Sequence, residues 1–265
     1  MHMNFEDIRV AIEGHVATIT FCRPDRNNAL RPDTLRELCV ALDQVVPDES
    51  VKAIVLKAEG RHFSAGADFA FLEQLTEMEA PAIRKQVYAH FQGAAKRLYR
   101  CPKPTLALVQ GAAVTVGCEL ALACDFRVMS EQAFLQESWV RLGIMPPLGG
   151  LFLLPRYVGL GRAMNMALRG EKLPADEALT SGLALEIVAA DDLERRGMEL
   201  AQELASIAPL AYSAIKEAIQ RGLETGMDAE WSANVSTQAT LLTSEDFAEG
   251  LKAAKERRPA RFCGR

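Results

Sequence analysis

No apolar run in this 265-residue chain approaches the ~20 residues that a membrane-spanning helix needs, so no spanning helix is expected. The opening Met1-His2-Met3-Asn4-Phe5-Glu6-Asp7 lacks the charged start and apolar stretch of a secretory leader. A cytoplasmic location is therefore expected. The six cysteines, Cys22, Cys39, Cys101, Cys118, Cys124 and Cys263, form no C-x-x-C pair and read as free thiols in a reducing compartment. His2, His15, His62 and His90 do not cluster, so no metal site is expected. Positive charge is not in excess: 30 Lys and Arg face 35 Asp and Glu, a net charge of −5. A general affinity for nucleic acid or an anionic membrane needs a basic face, so neither partner is expected. Internal repeats and low-complexity linkers are also missing.

What is present is ordinary globular material, 49% hydrophobic and 25% charged. The length suits one large domain or two small ones. Residues 8–12 and 16–21, joined at Glu13-Gly14-His15, predict an edge hairpin. Pro32 opens a helix to about Val46, with Leu35, Leu38, Ala41, Leu42 and Val45 on one face. Residues 53–56, 105–109 and 126–129 read as buried strands, and 80–99 and 117–123 as helices. This alternation predicts an α/β fold with a mostly parallel sheet. Beyond Gly149 the pattern turns helical, over 160–169, 175–181, 192–205, 209–223, 227–242 and 245–257, with 184–188 as the one strand. The expected division is an α/β catalytic core over 1–190 and a helical region over 191–265 that packs on the core or on a neighbouring subunit.

Two loops carry the candidate chemistry. Glu59–Asp68 follows a strand, crowds small residues at Ser64-Ala65-Gly66-Ala67, and ends on an acidic helix cap. Alone, it reads as a plain strand-to-helix turn. Ser64 lacks the first glycine of G-x-S-x-G and has no ordered Asp/His partners, so a hydrolase nucleophile is not expected. The second loop, Gln110–Leu120, also joins a strand to a helix. Its Glu119 sits between Cys118 and Leu120-Ala121-Leu122-Ala123. A carboxylate in such apolar company is costly unless it is paired or used. It is either hydrogen-bonded to a neighbouring loop or a general acid/base at a helix N-terminus.

Phe63-Ser64-Ala65-Gly66-Ala67-Asp68 and Gly117-Cys118-Glu119-Leu120-Ala121-Leu122-Ala123-Cys124-Asp125 resemble the crotonase (enoyl-CoA hydratase/isomerase) superfamily. Arg23-Pro24-Asp25-Arg26-Asn27-Asn28-Ala29-Leu30, Pro102–Gly111, Leu142–Pro146, Gly149-Gly150, Leu154–Gly159 and Arg258–Phe262 continue the resemblance over nearly the whole chain. It implies a crotonase-like ββα-repeat core with a helical C-terminal region, assembled as a trimer or a dimer of trimers. It implies an acyl-CoA substrate and no cofactor, coenzyme A being part of the substrate.

By resemblance, the amides of Ala67 and Val116 form an oxyanion hole for the thioester oxygen, a donor being worth ~3 kcal/mol in such a site. Thr115 and Val116 stand where the family usually has glycines. Glu119 matches the glutamate that activates water. The family's second glutamate falls on Trp139 or on Ser138, depending on the alignment, and an Asp used by another branch falls on Pro147. Glu137 is the nearby carboxylate and a candidate replacement for that acid, although on a helix it would point elsewhere; otherwise Glu119 is the sole carboxylate. Trp139 is expected to wall the acyl pocket. Arg26, Ala29 and Ala65 match the places that hold adenine and phosphates. Gly66, Asp68 and Gly117 lie in the same two turns and count with them. Phe262 resembles a C-terminal aromatic that covers the nucleotide, sometimes across a subunit boundary. The implied activity is hydration of a trans-2-enoyl-CoA or its reverse. A Δ3/Δ2-enoyl-CoA isomerase or another enolate-forming acyl-CoA lyase is the alternative, and a non-catalytic acyl-CoA-binding protein the second.

Overall fold

A computed structural model describes residues 5–265. The reading that no leader is present concerns a segment whose first four residues lie outside these. The N-terminal hairpin is β1 (Ile8–Glu13) and β2 (Val16–Phe21), paired antiparallel around the turn at Gly14. Helix α1 (Pro32–Val45) follows, and its apolar face, Leu35, Leu38, Ala41, Leu42 and Val45, is buried as the helical spacing requires. Next come β3 (Ala53–Ala58), α2 (Phe69–Thr76), the single turn α3 (Ala80–Ala82) and α4 (Tyr88–Tyr99). A π-helical turn over Ile83–Val87 joins the last two.

Then follow β4 (Thr105–Val109), β5 (Ala112–Val114), α5 (Val116–Ala123), β6 (Phe126–Ser130) and β7 (Phe134–Gln136). The last part holds α6 (Gly150–Arg169), β8 (Lys172–Pro174), α7 (Ala175–Thr180), β9 (Glu186–Val188), α8 (Leu193–Ala205), α9 (Pro209–Gly222), α10 (Met227–Leu242) and α11 (Glu245–Glu256).

The main sheet has the order β1-β2-β3-β4-β6-β9, parallel from β2 onward. Both of its faces are covered, which is why β3 and β4 are apolar almost without alternation. One face packs with α1, α4 and α5 into the larger core. On the other, Leu193, Leu200, Ala201 and Leu204 of α8 pack against Val16, Val55, Leu106, Leu108 and Val128. Helix α8 thus closes the α/β core, so the division expected at residue 190 falls ahead of a layer of that core. The chain leaves it only from α9.

A second sheet, β5-β7-β8, did not appear in the sequence pattern. In it Phe134–Gln136 is a strand, so Glu137 does not stand in a helical register, and Trp139–Leu142 is a short 3-10 turn. Helix α6 starts at Gly150, ten residues earlier than its apolar period suggested, and breaks at Gly159.

The two ends of the parallel strands differ in what they carry. The segments after β2, β3 and β4 all emerge at the carboxyl ends, where open α/β sheets place their ligands. The last three helices attach at the amino ends. Lys216 of α9 pairs at 2.8 Å with Asp125, which precedes β6, and Lys52, which precedes β3, donates to the Phe262 carbonyl at 2.9 Å. Neither α9 nor α10 buries a residue, and Ile215, Ile219, Trp231 and Val235 are exposed on them.

Candidate active site

Asn28 fastens the first loop. It sits at φ +52°, a conformation that asparagine tolerates, and its side chain is fully enclosed. Its amide donates to the carbonyls of Glu59 and His62, both at 2.8 Å, and its oxygen accepts the Arg23 N–H at 2.9 Å. Ser64, fully buried, donates to the Asn28 carbonyl and accepts the Gly66 N–H. Its hydroxyl is therefore a brace for the turn. The Ala65 N–H donates to Asn27, the Leu30 N–H to Gly66 and the Asp68 N–H to Leu30. These bonds bind residues 27–30 to residues 65–68.

The second loop is laced to the first. The N–H groups of Phe63 and Ser64 donate to Gln110 and Ala112, and that of Val114 donates back to Ser64. The lacing stops where the two candidate amides begin. Gly66 has φ +102°, and a Cβ there would lie 2.2 Å from the Thr115 hydroxyl oxygen. At Gly117 a Cβ would lie 2.6 Å from that of Ser64. Only glycine at both positions lets the turns approach this closely.

Val116 is the first residue of α5, so its N–H has no acceptor within the helix, and the helix dipole adds positive potential there. The Ala67 N–H points at the Thr115 hydroxyl over a long 3.4 Å. Thr115 itself sits at φ +46°, ψ −112°, an outlier for a β-branched residue. Backbone strain of this kind concentrates at functional sites.

Glu119, one turn along α5, is buried. Its Oε1 accepts the N–H groups of Leu148 (2.7 Å) and Gly150 (2.9 Å), while its Oε2 is enclosed without a partner. Burial pushes its pKa up to about 7, against the opposing pull of those amides and of the nearby Trp139 indole. The indole Nε1 makes no hydrogen bond of ordinary geometry, so its influence is a loose contact. A hydrogen bond to a neighbouring loop was one of the two readings of Glu119, but the Leu148 and Gly150 amides that make it were not readable. Backbone donors leave no residue signature, and Gly149-Gly150 before the helix is the only trace.

Glu137 is buried beside Cys118 and Glu119, both of its oxygens without partners. It follows a strand, and its side chain faces α5; the helical register that would have turned it away does not apply. Trp139 is buried next to Glu119.

The remaining candidates divide. Arg26 is exposed and borders a cavity of about 480 Å³ with Arg23, Arg31, Asp68 and Gln74. Ala29 and Ala65 lie in the laced segments beside it. Asp68, expected to meet substrate, is turned to other work: it caps α2 through the Ala70 N–H at 3.0 Å and pairs with Arg23 at 3.2 Å. Phe262 is not brought to the site. It packs by Gly250 and Lys52 at the amino end of β3, a strand length (roughly 20 Å) from the loops. A wider cavity of about 960 Å³, lined by Lys57, His62, Gln110 and Glu194 among others, does not include Ala67, Val116 or Glu119. The wider hollow therefore lies apart from the candidate residues of the two laced turns.

The enoyl-CoA hydratase/isomerase family model matches residues 11–265. The chain belongs to this family. Among relatives, a Rhodobacter capsulatus protein named "Probable enoyl-CoA hydratase" is 36% identical, covering 99% of this chain and all of that one. The 1,2-epoxyphenylacetyl-CoA isomerase of Escherichia coli is 30% identical, over 96% of this chain and 97% of its own. The solved enoyl-CoA hydratase of Bacillus anthracis superposes with a TM-score of 0.90 at 31% identity, covering 98% of this chain and all of that one. The crotonase fold and the helical C-terminal region are thereby shown, and the chain is an enzyme of the enoyl-CoA hydratase/isomerase family. Among the described residues no helix is long and apolar enough to cross a membrane.

Proposed function

We propose that this enzyme adds water to a trans-2-enoyl-CoA, or removes it from the 3-hydroxyacyl product, with Glu119 as the base. The observation that carries this reading is the state of Glu119. One oxygen is held by two amides, the other is left open, and a pKa of about 7 lets the carboxylate take and return a proton near neutrality. Glu119 removes a proton from water as the water oxygen bonds to Cβ. The electron pair moves to the thioester oxygen, where the Ala67 and Val116 amides meet the new charge. Fixed dipoles of this kind need no reorientation as the charge forms, so they lower the barrier without an added cost.

Coenzyme A is placed along Arg26, Ala29, Ala65 and Gly66, with Gly117 at the thioester and Trp139 against the acyl chain. Asp68 serves by holding the turn. Phe262 would reach a nucleotide only on a neighbouring subunit. The exposed apolar faces of α9 and α10 support self-association, as a trimer or a dimer of trimers in a cytoplasmic enzyme.

A second reading, Δ3/Δ2-enoyl-CoA isomerisation or another enolate-forming lyase reaction, is favoured by Trp139 at the family's second-acid position and by the isomerase among the relatives. A non-catalytic acyl-CoA binder is the third. Assays with crotonyl-CoA and with a 3-enoyl-CoA separate the first two. Turnover of crotonyl-CoA that is abolished in Glu119→Gln supports hydration. Turnover of the 3-enoyl-CoA alone supports isomerisation. Calorimetric binding with no turnover of either contradicts both.

A further inference from the structure

Six buried side-chain polar atoms lack a hydrogen-bond partner among the described residues, and four of them belong to Glu119, Glu137 and Trp139. The other two, the Tyr99 hydroxyl and the Arg162 Nε, stand singly; here a carboxylate oxygen, a whole carboxyl group and an indole N–H are left together. A buried carboxyl group without a protein partner calls for an explanation, and proton transfer is one. Glu137 is the most exceptional of the three. It is 1% exposed, neither oxygen has a hydrogen bond of ordinary geometry, and it is near enough to Glu119 to feel that group's charge.

We propose that Glu137 is the second acid of this site and supplies the proton that Cα takes up. The proposal rests on the hydratase reading of Glu119. Two carboxylates enclosed together cannot both ionise, so the pair carries one proton. The two environments decide which group holds it. Glu119 has two amides that favour its charged form; Glu137 has only a loose contact with the Cys118 thiol. The titratable groups facing Glu137 are Cys118 and Glu119 of α5, and no cation is among its neighbours. The buried Cys118 thiol is pushed well up and stays neutral. Burial, and then the Glu119 charge, hold Glu137 protonated while Glu119 is ionised. Carboxyl groups driven apart in this way are the signature of an acid beside a base.

The step balances. Glu119 takes a proton from water, the water oxygen bonds to Cβ, and the Cα–Cβ π pair becomes the enolate. The enolate Cα takes the Glu137 proton as the thioester carbonyl re-forms. The proton on Glu119 then passes to the Glu137 carboxylate, and one water has been added. A carboxyl group at position 137 thus replaces one that the family carries a residue or two further on, where this chain has Ser138 and Trp139.

The test compares wild type, Glu137→Gln, Glu137→Asp and Glu119→Gln in crotonyl-CoA hydration as pH is varied. Thermal melting and acyl-CoA calorimetry verify folding and binding. Glu137→Gln is expected to bind acyl-CoA as wild type does and to lose kcat by about 10²–10⁴-fold. It should keep the acidic limb of the pH profile, which reports Glu119, and lose the alkaline limb, which reports the acid. Glu137→Asp should restore part of the rate and the alkaline limb. A merely structural Glu137 would move the melting temperature and leave that limb in place. If Glu137→Gln is too unstable to assay, the wild-type infrared spectrum decides. One carboxyl group still protonated above neutrality supports the pair, and none contradicts it. Glu137→Gln within twofold of wild type with an unchanged profile, while Glu119→Gln is inactive, overturns this proposal and leaves the hydratase reading standing. An active Glu119→Gln overturns the reading beneath it.

Discussion

Helix α5 has a carboxylate near each end, and the two have opposite surroundings. Asp125, just past its C-terminus, is fully employed. Its Oδ2 accepts the Thr105 N–H and hydroxyl and the Tyr212 hydroxyl, each at 2.9 Å, and Lys216 pairs with it at 2.8 Å. Glu119, near the N-terminus, has one oxygen gripped by backbone and one left open. Both lie in the family motif. Their partners separate them. A carboxylate whose lone pairs are all taken holds structure, and one whose enclosure is left incomplete is free to move a proton. Asp125 anchors the C-terminal helices to the amino end of the sheet, and Glu119 is gripped by the Leu148 and Gly150 amides near the other end of α5.

The comparison can be broken by exchanging the effects. Glu119→Gln is expected to lower turnover by about 10²–10⁴-fold with little loss of stability, read by kcat and thermal melting. Asp125→Ala is expected to do the reverse. It strands the nearly buried Lys216 and the Tyr212 hydroxyl and should cost about 3 kcal/mol in denaturant unfolding. Activity per folded molecule should stay near wild type while the C-terminal helices loosen, seen as faster amide exchange in α9.

A pH experiment sharpens the same contrast. The folded pKa of Glu119 lies above its ordinary value of 4.5, at about 7. Its contribution to stability is therefore complete below about 4.5 and is lost as pH rises toward 7. The loss is on the order of 3 kcal/mol at most and should vanish in Glu119→Gln. Activity should run the other way and rise through that range, because the base must be ionised. The smallest expected effect is at Thr115. Thr115→Gly removes a strained positive φ and frees the Ala67 amide from the hydroxyl. It should stabilise the fold by about 1 kcal/mol and lower KM, measured by melting and steady-state kinetics.

Much of this architecture was legible beforehand. Strand β2, α1, β3, β4 and α8 follow from apolar spacing, because each buries a continuous face or both faces of a strand. The second sheet was not legible. Strands of three residues, such as Phe134–Gln136 and Lys172–Pro174, are too short to show a period, and their pairing depends on distant segments. Missing β7 put Glu137 in the wrong register. At the site, Glu119 stood out as a carboxylate in apolar company, and Ala67 and Val116 by the resemblance of their turns to the family's. What holds them did not. The Leu148 and Gly150 amides belong to no residue type, and the Asn28 brace lies within a recognised motif without its bonds being readable. Phe262 was matched by its place at the chain end, but Lys52 and Gly250 hold it at the far end of the sheet.

A crystal structure with bound butyryl-CoA tests the central claim most directly. The account predicts the thioester oxygen within about 2.7–3.1 Å of both the Ala67 and Val116 nitrogens, the Thr115 hydroxyl displaced, and the open Glu119 oxygen facing the Cα–Cβ bond. A thioester oxygen bound elsewhere, with Glu119 still sealed from the acyl chain, would contradict it.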